Sequence, residues 1–167
     1  MNHIRSIIAS LLACLIAVAA APAPRAATPP DQIKAATAIA LTTELLDKMD
    51  AFITPLKADD AAKTQLKALP PDPGMGEEKW GSLVDAKAPK VAELFKTAGI
   101  TADDFGKAML TLIACGMSED LGKSDNKVAK ANWDFVAANK ERADKTFGSF
   151  MELVMPADPS SAPAPTP

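Results

Sequence analysis

The sequence predicts an all-α fold, a compact bundle of five or six helices with Pro-rich, disordered ends. The chain has no Tyr, aromatic residues make up only 5% of it, and no stretch alternates apolar and polar residues over the length of a strand. Residues that favour helices, above all Ala, Leu and Lys, occur almost throughout. Apolar residues recur every three or four positions, so each helix has one apolar face to bury against the others.

The first helix begins at Thr28-Pro29-Pro30-Asp31, which combines a capping residue, prolines in the first turn and an acid three residues later. We expect Pro55 to end or kink this helix near Ile53. A shorter helix should follow within Lys57 to Leu69, and the prolines and glycines of residues 70–76 predict a definite break. The apolar face of the first helix comprises Ile33, Thr37, Leu41, Leu45, Met49, Phe52 and Leu56.

A third helix is predicted from Ser82 to Ala98, because Gly99 is placed to stop it. Thr101 then starts a fourth helix, which should end near Gly122. We expect Trp80 to pack the preceding loop onto the bundle, although an exposed Trp at a ligand or partner surface stays open. The buried stripes of these helices are Val91, Leu94 and Phe95 in the third, and Phe105, Met109, Leu112, Ile113 and Met117 in the fourth.

The last region predicts a helix from Asp125 to Ala138, a break at Asn139 and a further helix to Val154. Its stripes are better explained as core than as a cofactor site. They comprise Val128, Phe135 and Val136 in the first part, and Ala143, Phe147, Phe150, Met151 and Val154 in the second.

Residues 1–20 predict a secretory signal peptide, with a basic start at Arg5, an apolar run from Ile7 to Ala21 and small residues for cleavage after Ala20. We expect a linker at 21–30, a helical domain at 31–155, a Pro-rich disordered tail at 156–167, and a periplasmic or secreted product. We expect the protein to contact the membrane only through its signal peptide, before the peptide is cleaved. Two alternatives stay open, an uncleaved anchor and a lipoprotein whose modified residue is Cys14.

The charge pattern and the scarcity of histidine exclude several function classes. The 18 basic and 21 acidic residues are interspersed and give a net charge of −3, so we expect no nucleic-acid partner. The only histidine is His3, which excludes a Ser-His-Asp or Cys-His catalytic system and His-ligated zinc or haem in the mature chain. We predict no enzyme, no cofactor and no metal, although a carboxylate pair or a Ser-Lys pair is not formally excluded.

Sulfur-containing residues leave two further alternatives. Cys115 would be the only cysteine after signal removal, and its apolar neighbours predict a buried thiol of low reactivity. A disulfide-linked dimer through Cys115 is the other interpretation. Cuprous copper could also be held by soft sulfur ligands, and the candidates are Met109, Cys115 and Met117 on one helix with Met151 and Met155 on another.

Two segments, Gly99 to Phe105 and Asn132 to Glu141, resemble segments of a known group of proteins. They are similar to a Gly-hydrophobic-Thr helix start and an Asn-x-x-Phe-Val segment of small, mostly uncharacterised exported proteins of Gram-negative bacteria. The resemblance implies export and an all-α fold, and it implies no activity and no catalytic residue.

Two functions therefore remain. The first is an envelope interaction or accessory protein with an unknown envelope partner, which predicts a contiguous apolar surface patch. The second is a carrier of a small apolar ligand or of copper, which predicts an interhelical pocket lined by Met, Phe and Leu. The oligomeric state stays open.

Overall fold

The computed structural model describes residues 30–69 and 80–154, and this part of the chain contains only helices and their connections. The predicted all-α class is confirmed, with eight α-helices and one 3₁₀ helix here instead of five or six helices. The predicted signal peptide, nearly all of the linker and the tail lie outside the described residues. The helices are α1 (Pro30–Ala36), α2 (Thr43–Ala58), α3 (Asp60–Lys67), α4 (Trp80–Lys87), α5 (Pro89–Ala98), α6 (Ala102–Met117), the 3₁₀ helix (Glu119–Lys123), α7 (Lys127–Ala138) and α8 (Lys140–Val154).

The predicted first helix is in fact two helices, α1 and α2, separated by residues 37–42. The buried side chain of Asn132 on α7 satisfies the backbone of this interruption. Its Oδ1 accepts a hydrogen bond from the Leu41 N–H at 2.8 Å, and its Nδ2 donates to the carbonyls of Ala36 and Ile39, both at 2.8 Å. The chain can therefore leave the helix without burying unpaired backbone groups.

We expected Pro55 to end or kink the helix near Ile53. The helix does not end there, because α2 continues through Pro55 to Ala58. Ile53 and Leu56, on either side of the proline, are buried in the core and hold the helix in place. Asp59 ends α2 and also caps α3, since its carboxylate accepts a hydrogen bond from the Ala62 N–H at 2.9 Å. That bond lowers the pKa of Asp59.

The predicted third helix is also divided, into α4 and α5. The break falls at Ala88, whose φ of −134° and ψ of 61° are not helical. Pro89 explains it, because a proline disfavours the helical conformation of the residue before it and is well suited to the first helical position. Gly99 ends α5 as predicted, in the left-handed conformation with φ 69°.

The fourth predicted helix ends at Met117, five residues before the expected end near Gly122. The 3₁₀ helix occupies the difference, and its Leu121 is buried. Gly122 lies against the indole of Trp133, where an added Cβ would come within 2.8 Å of the ring. The predicted break at Asn139 is confirmed, and the last helix continues to Val154, the last described residue.

An aromatic cluster of Phe52, Trp80, Phe95, Phe105 and Phe150 joins α2, α4, α5, α6 and α8 in the core. The ring of Phe52 stacks on that of Phe95 with centroids 3.8 Å apart, and Phe105 meets Phe52 and Phe150 edge to face, both at 4.9 Å. Trp80 packs edge-on against Phe95 at 6.0 Å. Trp80 is thus buried, so the alternative of an exposed Trp is wrong, whereas the loop it was expected to pack onto the bundle lies outside the described residues.

Candidate functional site

A groove of about 270 Å³ lies between α6, α7 and α8, and we call it the apolar groove. Asp144 is the only charged residue among those that line it. The lining residues are Leu112, Ile113, Gly116 and Met117 of α6, Val136 of α7, and Ala143, Asp144 and Phe147 of α8.

The two long walls of the apolar groove run in opposite directions. Phe105, near the start of α6, contacts Phe150, near the end of α8. At the other end, Met117 closes α6 and lies across the groove from the first half of α8, where Ala143 and Phe147 are. A pair of antiparallel helices with an open apolar seam is a form in which proteins receive apolar side chains of a partner.

Met117 is 77% exposed, so the prediction that it belongs to the buried stripe of its helix is wrong. It is the last residue of α6, where the neighbours on its face line the open groove and leave it uncovered. Val128, in the first turn of α7, is likewise 47% exposed and not part of a buried face. These are the exposed large apolar side chains of the described residues, and only Met117 lines the groove.

Gly116 keeps the apolar groove open. A Cβ built on it would meet no atom within 4 Å, so the space above this glycine is empty. Sequence reasoning missed this residue. Its signal is a glycine inside an apolar helical stripe, which costs about 1 kcal/mol relative to alanine and therefore indicates some other role.

The last turn of α6 forms one end of the apolar groove and is not capped. Asp59, Gly99 and Asn139 donate backbone hydrogen bonds that cap the ends of α2, α5 and α7. Among the described residues no backbone N–H does so at Ser118, and no basic residue lies in the last turn of α6. The terminal carbonyls of a helix carry partial negative charge, so this end of the groove favours a cation or a hydrogen-bond donor.

A second, polar groove of about 690 Å³ lies between α2 and α8. Two of its charged lining residues, Arg142 and Asp50, form an ion pair with each other. Arg142 donates to Asp50 at 2.9 and 3.2 Å and to Asp47 at 2.6 Å. These hydrogen bonds raise the pKa of Arg142. Thr146 donates a further bond to Asp50 at 2.7 Å, so this network clamps α2 to α8.

Cys115 is buried, as predicted, with 3% of its surface exposed. Burial raises the pKa of its thiol to about 11, which favours the unreactive protonated form. A disulfide between two copies would require this side chain to leave the core.

The sulfur atoms proposed for copper are not brought to one accessible place. Met109 is fully buried in the core, whereas Met117 is on the surface, and Met155 lies outside the described residues. Within the described part of the chain, no group of three or more His, Cys, Asp or Glu side chains is arranged to hold a metal ion.

The two segments of the resemblance serve the fold. Gly99 and Thr101 end α5 and start α6, and the Thr101 hydroxyl accepts a hydrogen bond from the Asp104 N–H at 3.0 Å. Asn132 holds the chain between α1 and α2, and Val136 lies at the floor of the apolar groove. No residue of these segments forms a recognisable catalytic arrangement in the described structure.

No protein-family model, curated protein or solved structure matches this chain. Over residues 30–69 and 80–154, none of the helices combines the length and apolar character needed to cross a membrane.

Proposed function

We propose that this chain is an exported helical binding protein that holds apolar side chains of a partner protein in its apolar groove. The observation that carries the proposal is the exposure of Met117 beside the open space above Gly116. Covering such a surface removes apolar area from water, at about 25 cal/mol per Å². Asp144 is the only charged residue among those that line the groove, so its walls are almost entirely apolar.

The size of the groove favours a partner protein over a small ligand. Its volume of about 270 Å³ is below the roughly 300–1,000 Å³ of typical small-molecule pockets. It is less than twice the roughly 150 Å³ of a cavity that takes one benzene, so one or two apolar side chains fill it. This supports an interaction protein over a carrier of an apolar ligand or of copper.

The N-terminal sequence supports an envelope location for this interaction. Arg5, the apolar run from Ile7 to Ala21 and the small residues before Ala21 have the order of a cleavable export signal. The partner is then a protein of the periplasm or of the outer face of the envelope, and the Pro-rich segments at 21–30 and 156–167 serve as spacers.

A photo-crosslinking experiment in the cells that make the protein tests the proposal. A photoreactive amino acid replaces Met117 in one variant and Val128 in the other, so that both are exposed apolar positions. Position 117 should give a crosslinked product of one defined mass, and position 128 should not. Equal products from both positions, or none from position 117, would contradict the proposal.

Two glycine substitutions supply the matched control for groove binding. Gly116→Leu places a side chain into the empty space of the groove, whereas Gly148→Leu makes the same change on α8 away from the lining, where a Cβ also meets nothing within 4 Å. Each is made in the chain that carries the crosslinker at position 117. Gly116→Leu should abolish the product and Gly148→Leu should leave it unchanged.

A further inference from the structure

The electrostatics of the apolar groove point to the chemistry of its occupant, and this inference rests on the function proposed above. No Lys or Arg lines the groove, and its one ionisable lining residue, Asp144, is an acid. At the end formed by Met117, the uncapped carbonyls of α6 are followed by the exposed acid Glu119. One end of an otherwise apolar site is therefore negative.

Among residues 30–69 and 80–154, no basic residue lies in the last turn of α6 or lines the groove. Asp144 pairs with Lys140 at 2.6 Å, one turn earlier on the same helix, so its charge is balanced on α8 and the negative character of this end comes from the terminal carbonyls of α6 and from Glu119. A positive charge placed at the last turn of a helix is stabilised by about 0.3–1 kcal/mol, and more where the site is partly buried. An acidic group at the same place is destabilised by a similar amount.

We propose that the occupant is a peptide segment of the partner in which one or two apolar side chains are followed by a Lys or Arg. The apolar side chains fill the space between Ile113, Gly116 and Phe147. The cationic side chain lies at the carboxyl end of α6, beside Met117, where it meets the uncapped carbonyls. A segment with an acid at this position is rejected.

Two synthetic amphipathic peptides test this specificity on the full chain. One carries two leucines one turn apart followed by a lysine, and the other has glutamate in place of that lysine. Binding is followed by the methyl NMR signal of Met117, assigned as the signal that Met117→Gln removes. The lysine peptide should shift this signal and bind at least about threefold more tightly than the glutamate peptide, because reversal of the charge doubles the interaction with the helix end.

Ser118→Lys supplies a cation to the end of α6 and should reduce the preference for the lysine peptide. Ser82→Lys adds the same charge on α4, away from the groove, and should leave the preference unchanged. Equal affinity for the two peptides would overturn the inference and leave the proposed function standing. Failure of both peptides to shift the signal would also overturn it, while the crosslink from position 117 would decide the proposed function separately.

Discussion

Asn132 shows how much of this fold can depend on one side chain. It is almost fully buried, and all three of its hydrogen bonds reach the backbone of residues 36–41, more than 90 positions earlier in the chain. Thr111 reinforces the same region, since its hydroxyl donates to the Ala35 carbonyl at 2.9 Å. Together the two side chains fix α1 to α6 and α7 and set the direction in which α2 leaves.

Replacement of Asn132 by alanine should destabilise the domain by roughly 3 kcal/mol or more. The change leaves the Leu41 N–H and the Ala36 and Ile39 carbonyls without their partner, and each buried unpaired group costs about 1–3 kcal/mol. Urea unfolding followed by helical circular dichroism measures the loss.

The matched control for this substitution is Asn139→Ala. Asn139 is half-exposed and donates one hydrogen bond within its own stretch of chain, to the Phe135 carbonyl at 2.9 Å. Its loss should cost no more than about 1 kcal/mol. Similar losses in the free energy of unfolding for the two variants would show that the hydrogen bonds of Asn132 stabilise the domain no more than the single bond of Asn139.

At the scale of the helix, α2 contains Pro55, although proline is disfavoured in the interior of a helix. Residue 55 has no N–H to donate to the Ala51 carbonyl, so one bond of the helix is missing. The helix persists because Phe52, Ile53 and Leu56 place their side chains in the core around the proline. Tertiary packing here outweighs the local preference.

Pro55→Ala should therefore stabilise the domain, by about 2 kcal/mol. Alanine is favoured over proline by about 3 kcal/mol inside a helix, and the greater freedom of the unfolded chain offsets part of this gain. Urea unfolding measures the change. Pro89→Ala is the control, because a proline at the first position of α5 removes no helical hydrogen bond, and this variant should be neutral or slightly destabilised. A gain no larger for Pro55→Ala than for Pro89→Ala would show that the missing bond costs nothing.

Elements governed by neighbouring residues could be predicted from the sequence, and those governed by distant contacts could not. The stop at Gly99 and the start at Thr101 are short-range signals, and the structure has both. Of the stripe predicted for α8, Ala143 and Phe150 are buried and the other members only partly. The separation of α1 from α2 depends on Asn132, which no local pattern connects to residues 37–42. The break at Ala88 is a different case, since Pro89 was a local signal that the helical periodicity concealed.

The residue types that line the apolar groove could be predicted from the sequence, but its position could not. An interhelical site lined by Met, Phe and Leu was the expectation of the alternative function, a carrier, and Met117 and Phe147 do line the groove. Its position was not expected, because the periodicity of α6 assigns Met117 to the core. Whether an apolar side chain at the end of a helix is covered depends on where the facing helices lie, which the spacing within one helix does not contain.

At the scale of the whole molecule, α6 is the central helix of the described structure. It packs against α1, α4, α7, α8 and the 3₁₀ helix, and it carries Cys115 in its last turns. A reagent can therefore reach the thiol only when the packing around the end of α6 opens. The raised pKa of Cys115 has a second consequence, because the unfolded thiol ionises first and the folded state loses stability as the pH rises from about 9 to about 11.

The rate of alkylation of Cys115 should report this opening. In a Cys14→Ser chain Cys115 is the sole thiol, and near pH 8 its folded form holds about a hundredfold less thiolate than a cysteine with the ordinary pKa of 9.0. Its reaction with iodoacetamide should be slower still than this ratio, because the side chain is also buried, and should keep accelerating up to about pH 11. Urea should speed the reaction with the same midpoint as the loss of helix.

The control thiol is Val128→Cys in a Cys14→Ser, Cys115→Ala chain, since position 128 is exposed on α7. Its reaction should be fast at pH 8, should level off above about pH 10 and should be insensitive to low urea. Reaction of Cys115 as fast as that of the control would mean that the thiol reaches solvent without opening of the core. A disulfide-linked dimer would then be chemically accessible, whereas slow reaction with the unfolding midpoint makes packing around α6 the reason that this thiol is unreactive in the folded protein.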